Sequence, residues 1–216
     1  MSQTNTAEIL SLLKKHYPKA KIALKYSNNW ELLVAVILSA QCTDKRVNII
    51  TLQLFKKYPT VNDYTKADQS EFESDIRSAG FFRNKAKNII ASARIIKEKF
   101  KGQIPKTMKE MLTLPGIARK SANVILGNAF GVVEGVAVDT HVSRLSQRLK
   151  LSSFKDPEKI EKDLMGKFDK KNWFKLTYLL ITHGRAVCQA KKPRCDKCFL
   201  NPFCPSAFSF PHFRND

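Results

Sequence analysis

The sequence predicts an all-α fold, and three observations carry that expectation. Apolar residues recur at helical spacing: Ile9, Leu12, Leu13 and Tyr17; Ile89, Ala93, Ile96 and Phe100; Ile160, Leu164 and Phe168. Helix-start signals stand ahead of such patterns, Thr43-Asp44 before a helix from about Lys45 to Tyr58 and Asp156-Pro157 before one running to about Phe168. Strand signals are confined to Val132–Val138, which Gly135 interrupts and Asp139 ends. That run reads as an extended connector between helical halves, and as the natural domain seam. No repeat of 20 to 50 residues is visible, which argues against a solenoid.

Composition narrows the function. A chain of 216 residues holds one large or two small domains. With 43% apolar residues and no low-complexity tract, the net charge of +19 (38 Lys and Arg against 19 Asp and Glu) sits on a folded body rather than a disordered tail. The basic residues are spread along the whole chain, so nucleic acid is the expected partner ahead of an acidic membrane. The longest apolar run, Leu32–Leu38, is too short to span a bilayer, and Met1–Thr6 lacks the charged start and apolar stretch of a secretory signal. A reducing cytosol is the expected compartment, with no membrane partner.

Two local patterns carry chemistry. Cys188, Cys195, Cys198 and Cys204 follow C-x6-C-x2-C-x5-C, with basic residues in the first gap. All-thiolate ligation suits zinc or an iron–sulfur cluster, and the staggered spacing favours the cluster over the paired C-x2-C of zinc ribbons. A disulfide network is the bland alternative, disfavoured by the odd count of five cysteines. Cys42 is expected to be a small buried apolar residue. The second pattern is Leu112–Ala122, a turn opening into a helix that ends near Phe130. Gly116 permits a left-handed backbone, and the free amides of the following helix start could hold a phosphate oxygen. An ordinary helix-turn-helix connection punctuated by Pro115-Gly116 is the competing reading.

Leu114-Pro115-Gly116-Ile117-Ala118-Arg119-Lys120-Ser121-Ala122 resembles the helix-hairpin-helix motif of the endonuclease III group of DNA glycosylases. Val138-Asp139-Thr140-His141 resembles the group's catalytic aspartate segment, and the cysteine spacing its 4Fe-4S loop. The motifs stand in the family's order across roughly residues 30 to 204. The resemblance implies two helical domains flanking a DNA-binding cleft: a six-helix, barrel-like domain over 22–132, and a second made of 1–21 with 133–216 and the cluster. It implies a monomer acting on double-stranded DNA with damaged bases or abasic sites, in the cytoplasm beside the nucleoid. Ala118 stands where the hairpin often has a second glycine, which requires a right-handed backbone there, and Ser121 stands where threonine is common.

The implied chemistry is excision of oxidised pyrimidines followed by strand cleavage. Lys120 would attack C1′ of the sugar and form a Schiff base, and Asp139 would stabilise the sugar cation and move protons. A lysine attacks only when neutral, and a carboxylate cannot make it so. Desolvation in the cleft and neighbouring cations, Arg119 among them, are therefore expected to do so. Leu114, Gly116, Ala118 and Arg119 would grip phosphate. Gln41 would bond the orphaned partner base and Phe81 would wedge into the stack, leaving Phe82 to the core. Lys191, Lys192 and Arg194 would clamp phosphate on a loop held between metal ligands.

Each role has a plainer rival: Lys120 a solvated phosphate contact, Asp139 a helix N-cap, Gln41 a cap at a helix end, Phe81 core packing, the basic loop a solvated surface. Two other functions compete. A monofunctional mismatch glycosylase would lack the lysine, and its adenine-removing type would need a further domain, for which twelve residues after Cys204 leave no room. A non-catalytic iron–sulfur DNA-binding protein would use the hairpin only as a grip. The aromatic tail Phe208–Asp216 is expected to pack on the cluster region or to fray.

Overall fold

Side-chain caps mark where most helices begin in the computed structural model, which describes residues 3–213. Eleven α-helices and no strands are found among the described residues. Asn28 accepts from the Glu31 amide to open α2 (Asn29–Leu38), and Thr43 from Arg46 to open α3 (Asp44–Lys57). Asp44 is thus the first helical residue rather than part of the start signal. Ahead of both, α1 spans Gln3–His16. The carboxylate of Asp63 accepts from both the amide and the hydroxyl of Thr60 at the start of α4 (Val61–Lys66), which holds its pKa below the usual carboxylate range. Asp68 caps α5 (Gln69–Asp75), after which a 3-10 turn, Arg77–Ala79, leads into α6 (Phe82–Lys99). Thr107 caps α7 (Met108–Met111), a single turn, and α8 runs Arg119–Phe130. Asp139 caps α9 (Thr140–Arg148), Asp156 caps α10 (Pro157–Lys167), and α11 spans Lys170–Ala186.

The chain divides into two compact units, Ala23–Val132 and Met1–Ile22 with Val133–Asp216. In the first, α2 is buried almost all round, with Leu32, Leu33 and Leu38 fully excluded from solvent. Each such leucine contributes about 1.5–3 kcal/mol, so the apolar run is a central helix packed on α3, α6 and α8. An aromatic cluster, Trp30, Tyr58, Tyr64 and Phe72, closes one side, its rings tilted or edge-on at 4.9–5.6 Å. The unit holds α2 to α8, so the expected six helices are joined by the one-turn α7.

In the second unit α11 packs on α9, α1 and α10 around Leu13, Leu145, Leu164, Leu176 and Leu180. Lys14 Nζ donates to Asn172 Oδ1 at 2.7 Å, tying the first helix to the last. The segment from Val132 to Val138 is irregular, as its interrupted apolar pattern predicts, and Val136 is fully buried. No helix among the described residues is long and apolar enough to cross a membrane.

Candidate functional site

The turn between α7 and α8 is anchored by its apolar residues and offers its small ones. Leu114 and Ile117 are 2% and 6% exposed, and the Ile117 amide donates to the Leu114 carbonyl. Ser92 Oγ donates to the Pro115 carbonyl at 3.2 Å. Gly116 has φ +80°, and a Cβ there would meet Asn88 Nδ2 at 2.9 Å, so both conformation and space require glycine. Gly116 and Ala118 face solvent. Two expectations are corrected here. The Leu114 side chain is core, leaving only its backbone for a ligand. Ala118 is not right-handed: at φ −95°, ψ 169° it is the extended N-cap residue, and helical geometry begins at Arg119. Alanine fits because that conformation has negative φ.

No side chain caps α8. Lys120, its second residue, is exposed. Arg119 is half-buried and engaged.

Asp139 belongs to the other unit. Its Oδ1 accepts from the amides of His141 and Val142 at 2.9 and 2.8 Å, the cap expected of an aspartate at this position, which leaves Oδ2 outside both bonds. One turn on, Arg144 donates through Nε and Nη2 to the Cys188 carbonyl at 3.1 and 3.0 Å and through Nη2 to the Gly184 carbonyl at 3.1 Å. A Cβ on Gly184 would stand 3.0 Å from both Arg144 Nη2 and His141 Nδ1. The sequence reading missed Arg144 and Gly184; their signal is spatial, since they are 40 residues apart.

Gln41 and Phe81 both stand exposed just beyond helix ends in left-handed backbone, at φ +52° and +47°. Phe81 is 67% exposed, which excludes a core role. Phe82 is half-buried beneath the Arg83 guanidinium rather than core, and Cys42 is half-buried rather than buried.

All five cysteines carry free thiols, which removes the disulfide reading. Cys188, Cys195, Cys198 and Cys204 line one pocket, partly open to solvent, with Leu145, Leu200 and Phe210 as apolar walls. Arg148 Nη1 donates to Cys188 Sγ at 3.2 Å and its guanidinium lies over the Phe210 ring at 4.4 Å. Cys198 Sγ lies 3.4 Å from Nε2 of the buried His183, whose Nδ1 meets the Tyr17 hydroxyl at 3.0 Å. Burial pushes Cys198 up to about 11 and His183 down to about 4. Among the described residues no three Cys, His, Asp or Glu side chains gather as one metal ion would require. Four unpaired thiols lining one pocket, with the Arg148 guanidinium against one sulfur, fit an anionic thiolate-held group.

Between these thiols Lys191 and Lys192 are exposed, whereas Arg194 donates to the Ala186 carbonyl at the end of α11. The tail packs on this region: Phe210 lines the pocket, and His212 Nε2 meets the Pro193 carbonyl at 2.9 Å. Of the stretch Phe208–Asp216, residues 214–216 lie outside the described residues.

Residues 34–170, which hold the hairpin with its open helix start and the capping aspartate but not the four-thiol loop, match a class of DNA-repair proteins. The chain belongs to the HhH-GPD superfamily of base excision DNA repair proteins. Within it, the chain is 54% identical to endonuclease III of Synechocystis over 93% of its own length and 91% of the relative's, and 46% identical to that of Bacillus subtilis over 87% and 86%. Its fold matches an endonuclease III in a trapped covalent intermediate with DNA, at TM-score 0.93 and 40% identity over 97% and 98% of the two chains. A thermostable thymine-DNA glycosylase shares the fold alone, at TM-score 0.84 and 20% identity over 95% and 98%.

Proposed function

We propose that this chain is a bifunctional DNA glycosylase and abasic-site lyase that removes oxidised pyrimidines from double-stranded DNA. One observation carries the reading: an exposed lysine, Lys120, sits on the first turn of the hairpin helix of a chain 40% identical to the endonuclease III trapped covalently on DNA.

Lys120 Nζ attacks C1′, the bond from C1′ to the base breaks, and the base leaves with a proton. The attack uses the nitrogen lone pair, so the free amine is the reacting form. Asp139 offers Oδ2 to the positive charge developing on the sugar and passes a proton from the adduct nitrogen to O4′, so that the C1′–O4′ bond breaks and the ring opens to an imine. Loss of a C2′ proton then expels the 3′ phosphate, and water releases the cut strand and restores Lys120. The backbone at Leu114, Gly116 and Ala118, with Arg119, grips phosphate; Gln41 and Phe81 fill the vacated stack. Lys191 and Lys192 add phosphate contacts, and Arg194 braces their loop. Cys188, Cys195, Cys198 and Cys204 would hold a 4Fe-4S cluster, which when bound cross-links and stiffens residues 188–204. The two units act as the domains 22–132 and 1–21 with 133–216 of a monomer working beside the nucleoid.

Borohydride tests this on a duplex containing one thymine glycol. Wild type is expected to give a covalent protein–DNA adduct and Lys120→Ala none, with turnover at least ~10³-fold lower. Base release without an adduct in wild type would favour the monofunctional alternative.

A further inference from the structure

Lys85 is 4% exposed, although it ends in an amine, and lies in the first turn of α6. Its Nζ donates to the Leu38 carbonyl and to the Ala79 carbonyl, each at 2.8 Å. Leu38 is the last residue of α2, and Ala79 the last of the 3-10 turn Arg77–Ala79. Two helical C-termini, each with carbonyls lacking partners in the helix, thus converge on one buried amine. Burial favours the neutral amine and lowers its pKa, and the nearby Cys42 thiol works the other way.

The chain leaves these two carbonyls directly into the two exposed loops. Gln41 is three residues past Leu38 and Phe81 two past Ala79, and both are non-glycine residues held at positive φ. Such conformations persist only where the surroundings impose them. The Lys85 amide also donates to the Phe81 carbonyl at 3.1 Å. We propose that Lys85 is a positioning residue which fixes the stems of the Gln41 and Phe81 loops relative to one another, so that both enter a DNA duplex as one rigid wedge. This rests on the reading of Gln41 and Phe81 as the residues that fill the vacated stack.

Single-stranded DNA has no stack to fill and no partner base to satisfy. In Lys85→Met, strand cleavage at an abasic site in single-stranded DNA should stay within about 2-fold of wild type, while excision of thymine glycol from a duplex falls 10-fold or more. Lys85→Arg, which keeps N–H donors, should recover most of the duplex rate. Hydrogen exchange gives a readout apart from activity: protection of the Cys42 and Lys85 amides should drop together in Lys85→Met. A double-mutant cycle with Gln41→Ala and Phe81→Ala should show strong non-additivity on duplex. Equal losses on both substrates, additive effects, or unchanged exchange would overturn the proposal while leaving the loop reading intact. Normal duplex activity in Gln41→Ala with Phe81→Ala would overturn the loop reading itself, and this inference with it. Should Lys85→Met not fold, the same comparison with Lys85→Gln decides, since its shorter side chain cannot hold both carbonyls and must still affect duplex more than single strand.

Discussion

The starts of α8 and α9 solve one problem in opposite ways. Every helix opens with amides that lack partners inside it. At α9 the Asp139 carboxylate takes two of them, at 2.9 and 2.8 Å. At α8 the capping position holds Ala118, whose methyl can accept nothing, and no side chain caps the helix. A capped start is finished by the protein; an uncapped start beside an exposed Gly116 and Lys120 is left for an anion from outside. The contrast teaches that a missing stabilising contact can itself mark function.

The sharpest way to divide these roles is at Asp139. Asparagine accepts the same amide bonds, so Asp139→Asn should melt close to wild type yet lose roughly 10²–10⁴ in excision rate. Asp139→Ala should lose the cap as well, costing about 1 kcal/mol in a denaturant titration. Equal stability losses in both would mean the carboxylate matters mainly as a cap. At the other start, Ala118→Asp should stabilise the protein by about 0.5–2 kcal/mol while weakening affinity for undamaged duplex several-fold, because a carboxylate would stand where phosphate is expected. Tighter DNA binding in that variant would break the comparison. Gly116→Ala forces a Cβ into left-handed backbone and against Asn88, at a cost of about 1–2 kcal/mol, measurable by thermal melting. Smallest of all, replacing Lys191 or Lys192 with Ala should lower the salt slope of duplex binding by about one unit each, leaving stability unchanged.

The parts legible in the sequence are those whose cause is local. Helical spacing at Ile89, Ala93 and Ile96 placed the buried face of α6, and Thr43 and Asp156 are caps because a short polar side chain reaches the amide three residues on. The turn at Gly116 was legible because only glycine takes φ +80° without strain. What stayed hidden depends on distant partners. Leu114 looks like a loop residue in a motif, and only packing shows it buried. Arg194 reads only as part of a basic loop, and nothing in the sequence announces its bond to the Ala186 carbonyl. Lys85 is one of 38 basic residues, and nothing in its neighbours announces that two carbonyls from residues 6 and 47 positions away meet on its amine. The short α4 and α5 lack a full apolar period, which is why periodicity alone did not reveal them.

The bond between Lys14 and Asn172 closes a loop of 158 residues, and α1 packs on α11. Synthesis therefore imposes an order on this protein. The continuous unit Ala23–Val132 can complete its core while the ribosome is still at work, whereas α1 must wait for the far end of the chain. At about 5–20 residues per second, the stretch from Val133 onward takes on the order of ten seconds to emerge. Through that interval the first helix has no seat for its apolar face, and the four thiols cannot share a pocket until the last of them is out. Any group these thiols hold together must therefore wait until Cys204 has emerged, and a chain truncated before it would be born with its hairpin folded and its remaining thiols unprotected.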